Sequence, residues 1–210
     1  MNETISQRLG TVFIVDDDRS FLKSVTRLLS AVGYTVWAFQ SAEELLAELK
    51  PDMTGCIVAD LQMPGMDGLK LQEALGKSTN PLPIIFLTGQ GDIPASVSAM
   101  RGGAEDFLMK RAPKEELLAA IERALEREAL ERKQRGRLQE LRQRFGELSE
   151  RELEVLSHVV QGKMNKEIAA DLDINERTVK LHRTSITRKL KVQSTVELGR
   201  LTDEAGLFKA

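Results

Sequence analysis

The sequence predicts an α/β domain on a doubly wound, five-stranded parallel sheet, followed by a long charged helix and a small all-α domain. Three observations carry this reading. Five short apolar runs without polar alternation are separated by helical patterns, as strands covered on both faces require. Residues 114–144 form one highly charged stretch of helical period. Beyond Ser149 no strand pattern appears. The expected boundaries are 1–112 for the α/β domain, 113–145 for the linker helix and 146–210 for the helical domain.

Taken in order, the strands are expected at 12–15, 36–39, 57–59, 84–87 and 106–109, with helices at 20–32, 41–50, 68–75 and 93–101. Asp18 is placed as N-cap of the first helix, and Ser41 with Glu44 has the spacing of a capping box. Repeated βα units close into a parallel sheet, and ligands of such sheets sit outside the carboxyl ends of the strands. In the stretch EELLAAIERALEREALERKQRGRLQELRQRF, Leu117, Leu118, Ile121 and Leu125 share one face, and Leu138, Leu141 and Phe145 form a second stripe. Gly136 is a weak point for helix, so continuity stays open. The stretch reads equally as a helix paired with a copy of itself or as a solvated spacer. Helices at 150–160, 165–172, 175–190 and 194–204 complete the chain, the first capped by Ser149 and ended by Gly162.

The 210 residues are 41% hydrophobic and 30% charged, the composition of a globular protein. No apolar run is long enough to span a bilayer, and MNETISQRLG has no signal-peptide pattern, so no membrane partner and a cytoplasmic location are expected. Cys56 is the single cysteine, which excludes an intramolecular disulfide and reads as a small hydrophobe in a strand. The net charge of −2 hides an asymmetry. Within 177–191, Arg177, Lys180, Arg183, Arg188, Lys189 and Lys191 occur with no acid, the local footprint of a nucleic-acid contact.

Asp16, Asp17 and Asp18 follow the apolar run VFIV just as Asp60 follows CIVA. Adjacent parallel strands would bring these carboxylates to one edge, where they repel unless a proton or cation intervenes. A hard divalent ion, Mg²⁺, suits such oxygen ligands. Thr88 and Lys110 end the last two strands and add a hydroxyl and an ammonium. This set suits phosphoryl transfer, with an aspartate as the nucleophile.

The chain resembles bacterial two-component response regulators of the FixJ/NarL type, a flavodoxin-like receiver with a LuxR-like DNA-binding domain. The resemblance covers nearly the whole chain through IVDDD, DLQMPGMDG, LTGQGD, GGAEDFLMK, LSERELEVL and NKEIAADLDINERTVKLH, in that order. It implies that Asp60 accepts a phosphoryl group from a sensor histidine kinase. It further implies that Asp16, Asp17, Asp60 and the backbone carbonyl of Gln62 hold Mg²⁺. Thr88 and Lys110 then engage the phosphoryl group, Phe107 is a switch aromatic, and phosphorylation yields a homodimer that works with RNA polymerase. Gln62 and Gln90 are expected to flank the phosphoryl group. One departure stands out: the family commonly has Pro after the lysine, often cis, whereas here Arg111 follows Lys110 and a trans bond is expected.

The pattern NKEIAADL, a turn at Asp173, then NERTVKLHRTSITRKL is that of a helix-turn-helix. Ile168, Ala169, Leu172, Ile174, Val179 and Ile186 are its expected inner face, and Asp173 takes a left-handed turn. The second helix would enter the major groove. By the resemblance Lys180 and Thr184 face bases beside Leu181, while Thr178, His182, Arg183, Arg188 and Lys189 are candidates for phosphates or groove edges of double-stranded DNA. Two rival readings are an aspartyl-nucleophile hydrolase and a constitutive DNA-binding protein. The hydrolase needs a general acid two residues after Asp60, where Gln62 stands. The intact Asp60, Thr88 and Lys110 set argues against the constitutive reading.

Overall fold

A computed structural model describes residues 9–89 and 93–208; Gln90 lies outside them. The chain divides into two compact units, residues 1–131 and 132–210. Among the described residues of the first unit are strands β1 (Thr11–Val15), β2 (Thr35–Phe39), β3 (Cys56–Asp60), β4 (Ile84–Thr88) and β5 (Asp106–Met109). They alternate with helices α1 (Arg19–Val32), α2 (Ala42–Glu48), α3 (Gly68–Gly76) and α4 (Ile93–Arg101). The sheet is parallel throughout, in the order β2-β1-β3-β4-β5. Alternate residues of the strands feed two cores. Phe13, Val15, Ile57, Ala59, Ile84 and Phe86 face one side, whereas Val12, Ile14, Cys56, Val58, Ile85 and Leu87 face the other. Every residue of β3 and β4 is buried, which is why neither run alternates.

Two glycines shape the two ends of the central strand. Gly55 has φ 144°, and a Cβ there would lie 2.3 Å from the Thr11 carbonyl oxygen, so only glycine lets β1 and β3 come alongside. At Gly68 a Cβ would meet the Asp60 carbonyl oxygen and the Phe86 ring at 2.7 Å, so α3 starts hard against the end of β3.

Asp18 caps α1 as expected, accepting from the Ser20 and Phe21 amides. The capping box at Ser41 is only half formed. Ser41 Oγ accepts from the Glu44 amide at 3.2 Å, but the Glu44 carboxylate takes the Gln40 amide at 2.8 Å instead of that of Ser41. α2 is also shorter than its pattern, because Leu49 turns to extended backbone.

Helix α5 (Lys114–Gly146) is one unbroken 33-residue helix, so Gly136 does not interrupt it. In the first unit its Leu117, Ala120, Ile121 and Ala124 pack into the core shared with α1. The second unit contains the last part of α5 with α6 (Glu150–Val160), α7 (Asn165–Asp171), α8 (Glu176–Leu190) and α9 (Thr195–Glu204). Leu141 and Phe145 join its core with Val155, Leu156, Ile168, Val179, Ile186 and Leu198, while Leu138 stays exposed. Ser149 and Glu152 form a complete capping box on α6. Asp173, at φ 51°, makes the left-handed turn between α7 and α8. Leu172 and Ile174 on either side are partly buried against the core.

Candidate acidic site and nucleic-acid interface

The strand order places the ends of β1, β3, β4 and β5 side by side. Asp60 is the last residue of β3, Thr88 is the last of β4, Asp16 follows β1 and Lys110 follows β5. Asp16 is 1% exposed, Asp60 7%, and Thr88 is buried beside them, whereas Asp17 is open to solvent. One carboxylate oxygen from each of Asp16, Asp17 and Asp60 lies within 4.8 Å of the other two. Lys110 Nζ bridges the two buried acids, 2.6 Å from Asp16 Oδ2 and 2.8 Å from Asp60 Oδ2. Lys110 reaches both without a cis peptide bond, none being present among the described residues.

The remaining carboxylate oxygens are held by the loops. Asp16 Oδ1 accepts from the Asp18 amide at 3.0 Å and Asp60 Oδ1 from the Gln62 amide at 3.3 Å. Those loops are themselves pinned: Arg19 Nε donates to Gln40 Oε1 at 2.6 Å, and Glu43 Oε1 accepts the Met66 amide at 3.0 Å. Burial pushes the Asp16 carboxyl up from its ordinary value, against the bond from Lys110 that favours the anion. For Lys110, burial pulls the ammonium down, but its bonds to Asp16 and Asp60 outweigh it and the net shift is upward. Three acids therefore face one ammonium. The surplus negative charge, the hard oxygen donors and their spacing fit a divalent cation, and these are the residues that could hold it.

Phe107 on β5 is half-buried, its ring 6.3 Å from that of Phe86. Sequence reasoning passed over Phe21, whose ring lies 4.6 Å from Lys110 Nζ. The available signal was its place three residues after the cap Asp18, since first-turn side chains lean back toward the helix start.

In the second unit, Lys180, Leu181, Thr184 and Arg188 are exposed on α8, with Leu181 64% exposed. Their spacing sets them on one face, which Arg177, from the basic stripe, also shares. Thr178 is half-buried and bonds to the cap Asn175 through both its amide and hydroxyl. His182 is half-buried, and Arg183 Nη1 donates to Asn165 Oδ1 at 3.0 Å, linking α8 to α7.

Lys189 makes contacts within the unit. Its ammonium donates to the Glu147 carbonyl at 2.8 Å and to the buried Glu152 carboxylate at 2.7 Å. Burial of Glu152 demands a counter-charge, and Lys189 supplies it. It holds α6 against α8.

An acidic, lysine-bridged edge on a parallel sheet together with a helix-turn-helix defines a signal receiver coupled to a DNA reader. Residues 12–122 match the response regulator receiver domain, and residues 146–202 match the bacterial regulatory proteins of the luxR family. Response regulator protein TodT of Pseudomonas putida is 41% identical over 199 residues, covering 95% of this chain and 88% of that protein. Transcriptional regulatory protein FixJ of Rhizobium meliloti is 41% identical over 196 residues, 93% and 96% of the two chains. The solved structure of response regulator StyR superposes with a TM-score of 0.85 at 42% identity, covering 93% of this chain and 98% of that one. The chain belongs to the two-component response regulators, as a DNA-binding transcriptional regulator with a receiver domain and a LuxR-type helix-turn-helix domain. A receiver implies a sensor kinase as partner, and the luxR-type domain implies DNA. No helix among the described residues is long and apolar enough to cross a membrane.

Proposed function

We propose that Asp60 is the phosphoacceptor and that its phosphorylation by a sensor histidine kinase switches DNA binding by the second unit. The observation that carries this is the bridging of Asp16 and Asp60 by Lys110 at the edge where Thr88 also ends its strand. A carboxylate oxygen of Asp60 attacks phosphorus in line. The new O–P bond forms as the donor's P–N bond breaks, and the electron pair leaves on the histidine imidazole. Lys110 neutralises the phosphoryl oxygens, and Thr88 offers its hydroxyl to them. Asp16, Asp17, Asp60 and the backbone carbonyl of Gln62 would hold Mg²⁺, which supplies charge neutralisation at the phosphoryl oxygens when bound. The chemistry this reading assigns to the chain is its own phosphotransfer and self-dephosphorylation.

Within this reading the domains are 1–112, 113–145 and 146–210, and Phe107 changes its burial as Thr88 engages the phosphoryl group. Ile93, Val97 and Met100 are exposed on α4, and their helical spacing supports a homodimer face there. Dimers place two recognition helices on paired half-sites. Lys180, Leu181 and Thr184 face bases, and Thr178, His182, Arg183 and Arg188 face phosphates or groove edges. The regulator works in the cytoplasm, with RNA polymerase as its transcriptional partner. Radiolabel transfer from a small phosphodonor tests the reading: Asp60→Asn abolishes Mg²⁺-dependent labelling. Labelling that persists unchanged in Asp60→Asn refutes it.

A further inference from the structure

The ring of Phe21 and the ammonium of Lys110 are tied together by a closed circuit of contacts. Asp16 Oδ1 accepts the Asp18 amide, Asp18 Oδ1 accepts the Phe21 amide at 3.2 Å, and the ring meets Lys110 Nζ at 4.6 Å. Lys110 then returns to Asp16 Oδ2 at 2.6 Å. The ring's place is thus set by the same loop that presents the carboxylates. It is also anchored from behind, packing against the core that lines α1 and α5.

Lysine is a poor choice for fixed positioning, because four rotatable bonds leave its ammonium free to swing into water. Lys110 keeps 21% of its side chain exposed, so an exit to solvent exists. Two carboxylates attract the ammonium from one side. An aromatic face attracts it from another, through the negative quadrupole of the ring, which an aliphatic side chain of equal volume lacks. From this geometry we infer that Phe21 is a positioning residue for phosphoryl transfer, holding the Lys110 ammonium over Asp60 by a cation–π contact. The inference rests on the reading of Asp60 as acceptor. Phe21 itself touches neither donor nor acceptor. Its effect passes wholly through Lys110, which must meet phosphoryl oxygens in a fixed place for the in-line attack to be stabilised.

The test uses the full chain and three proteins: wild type, Phe21→Leu, which keeps apolar bulk, and Phe21→Tyr, which keeps the ring. Acetyl phosphate is the donor; its P–O bond breaks as Asp60 gains the phosphoryl group, and the electron pair leaves on acetate. Labelling in Phe21→Leu is expected to slow by about 3- to 10-fold, the range of a partly desolvated cation–π contact, with Phe21→Tyr near wild type. The second readout needs neither donor nor metal. The ring current of Phe21 should shift the Lys110 ε-methylene protons upfield in spectra of lysine-labelled protein, with the signal assigned by Lys110→Met. That shift should vanish in Phe21→Leu and persist in Phe21→Tyr. Wild-type rates in Phe21→Leu, equal slowing in Phe21→Tyr, or an ε-methylene shift indifferent to the ring would each overturn the inference. If wild type takes no label at Asp60, the acceptor reading fails separately. The ε-methylene shift then decides alone whether the ring holds Lys110: its presence supports that hold and its absence overturns it.

Discussion

Replacing Lys189 by methionine removes the donor that joins the start of α6 to the end of α8 while leaving most of the apolar stem. The carboxylate it abandons is 5% exposed and retains the Ser149 amide at 2.7 Å. Breaking a fully buried pair by deleting one partner costs about 3–5 kcal/mol. Here the Lys189 side chain is 29% exposed, so water offsets part of the loss. A second route gives a similar figure. Burial pushes the Glu152 carboxyl up, yet hydrogen bonds from Lys189, Ser185 and Ser149 outweigh it and bring it from 4.5 to about 2. At 1.36 kcal/mol per pK unit this net shift amounts to about 3 kcal/mol, the bonds less the burial they offset. We take about 2 kcal/mol as the share of Lys189.

The sign in pH follows from the depressed carboxyl. The contribution is complete above about pH 4.5 and fades as pH falls through 2, so the gap between wild type and Lys189→Met should narrow between pH 7 and pH 3. Urea titrations followed by hydrogen exchange of the α6 and α8 amides measure this directly. A loss under about 0.5 kcal/mol at pH 7, or a gap that does not narrow in acid, refutes the reasoning. The same protein settles the role of Lys189 toward DNA. A phosphate contact would lower the slope of log affinity against log salt by about 1. The slope is expected to stay at its wild-type value.

Three further outcomes are expected. Lys180→Ala should cost about 1–3 kcal/mol of discrimination between operator and altered base pairs, whereas Arg188→Ala should weaken all sequences alike and reduce the salt slope; salt titrations on matched and mismatched DNA separate the two. Gly68→Ala should lower the melting temperature of the first unit, because its Cβ would lie 2.7 Å from the Asp60 carbonyl oxygen, and thermal unfolding of the full chain reads this. Cys56 is fully buried and burial pushes its thiol up to about 12, so iodoacetamide at pH 8 should modify it only after unfolding; rapid native modification would show the strand to be open.

The sheet was legible because parallel strands leave an unmistakable trace, runs such as CIVA and IIFLT that bury every residue. Helix starts were legible where the cap lies one residue away, as at Asp18 and Ser149, whereas Asn175, read as the first helical residue, is the cap of α8. What failed was reciprocity: Glu44 has the spacing for Ser41 but accepts the Gln40 amide, one residue further back. The acidic site was legible because each member terminates a strand. The counter-charge of Glu152 was not. Lys189 lies 37 residues away, and its local signature, a cation in the last turn of a helix, is what a DNA contact would show as well. Phe21 was hidden for a related reason, since an apolar residue facing a core gives no sign that a lysine 89 positions on will meet its ring.

The strand order β2-β1-β3-β4-β5 also sets a tempo for folding. No strand can pair with a parallel neighbour until an intervening helix has crossed over, so every ladder of the sheet waits on a loop closure. The second unit is built from helices that meet close partners in sequence, a topology that folds faster. After dilution from denaturant, the helices of the second unit are therefore expected to form ahead of the sheet edge that carries Asp16 and Asp60. Native-like helices in the second unit therefore do not report an assembled acidic edge, and Lys110 is the residue whose environment reports that it has closed.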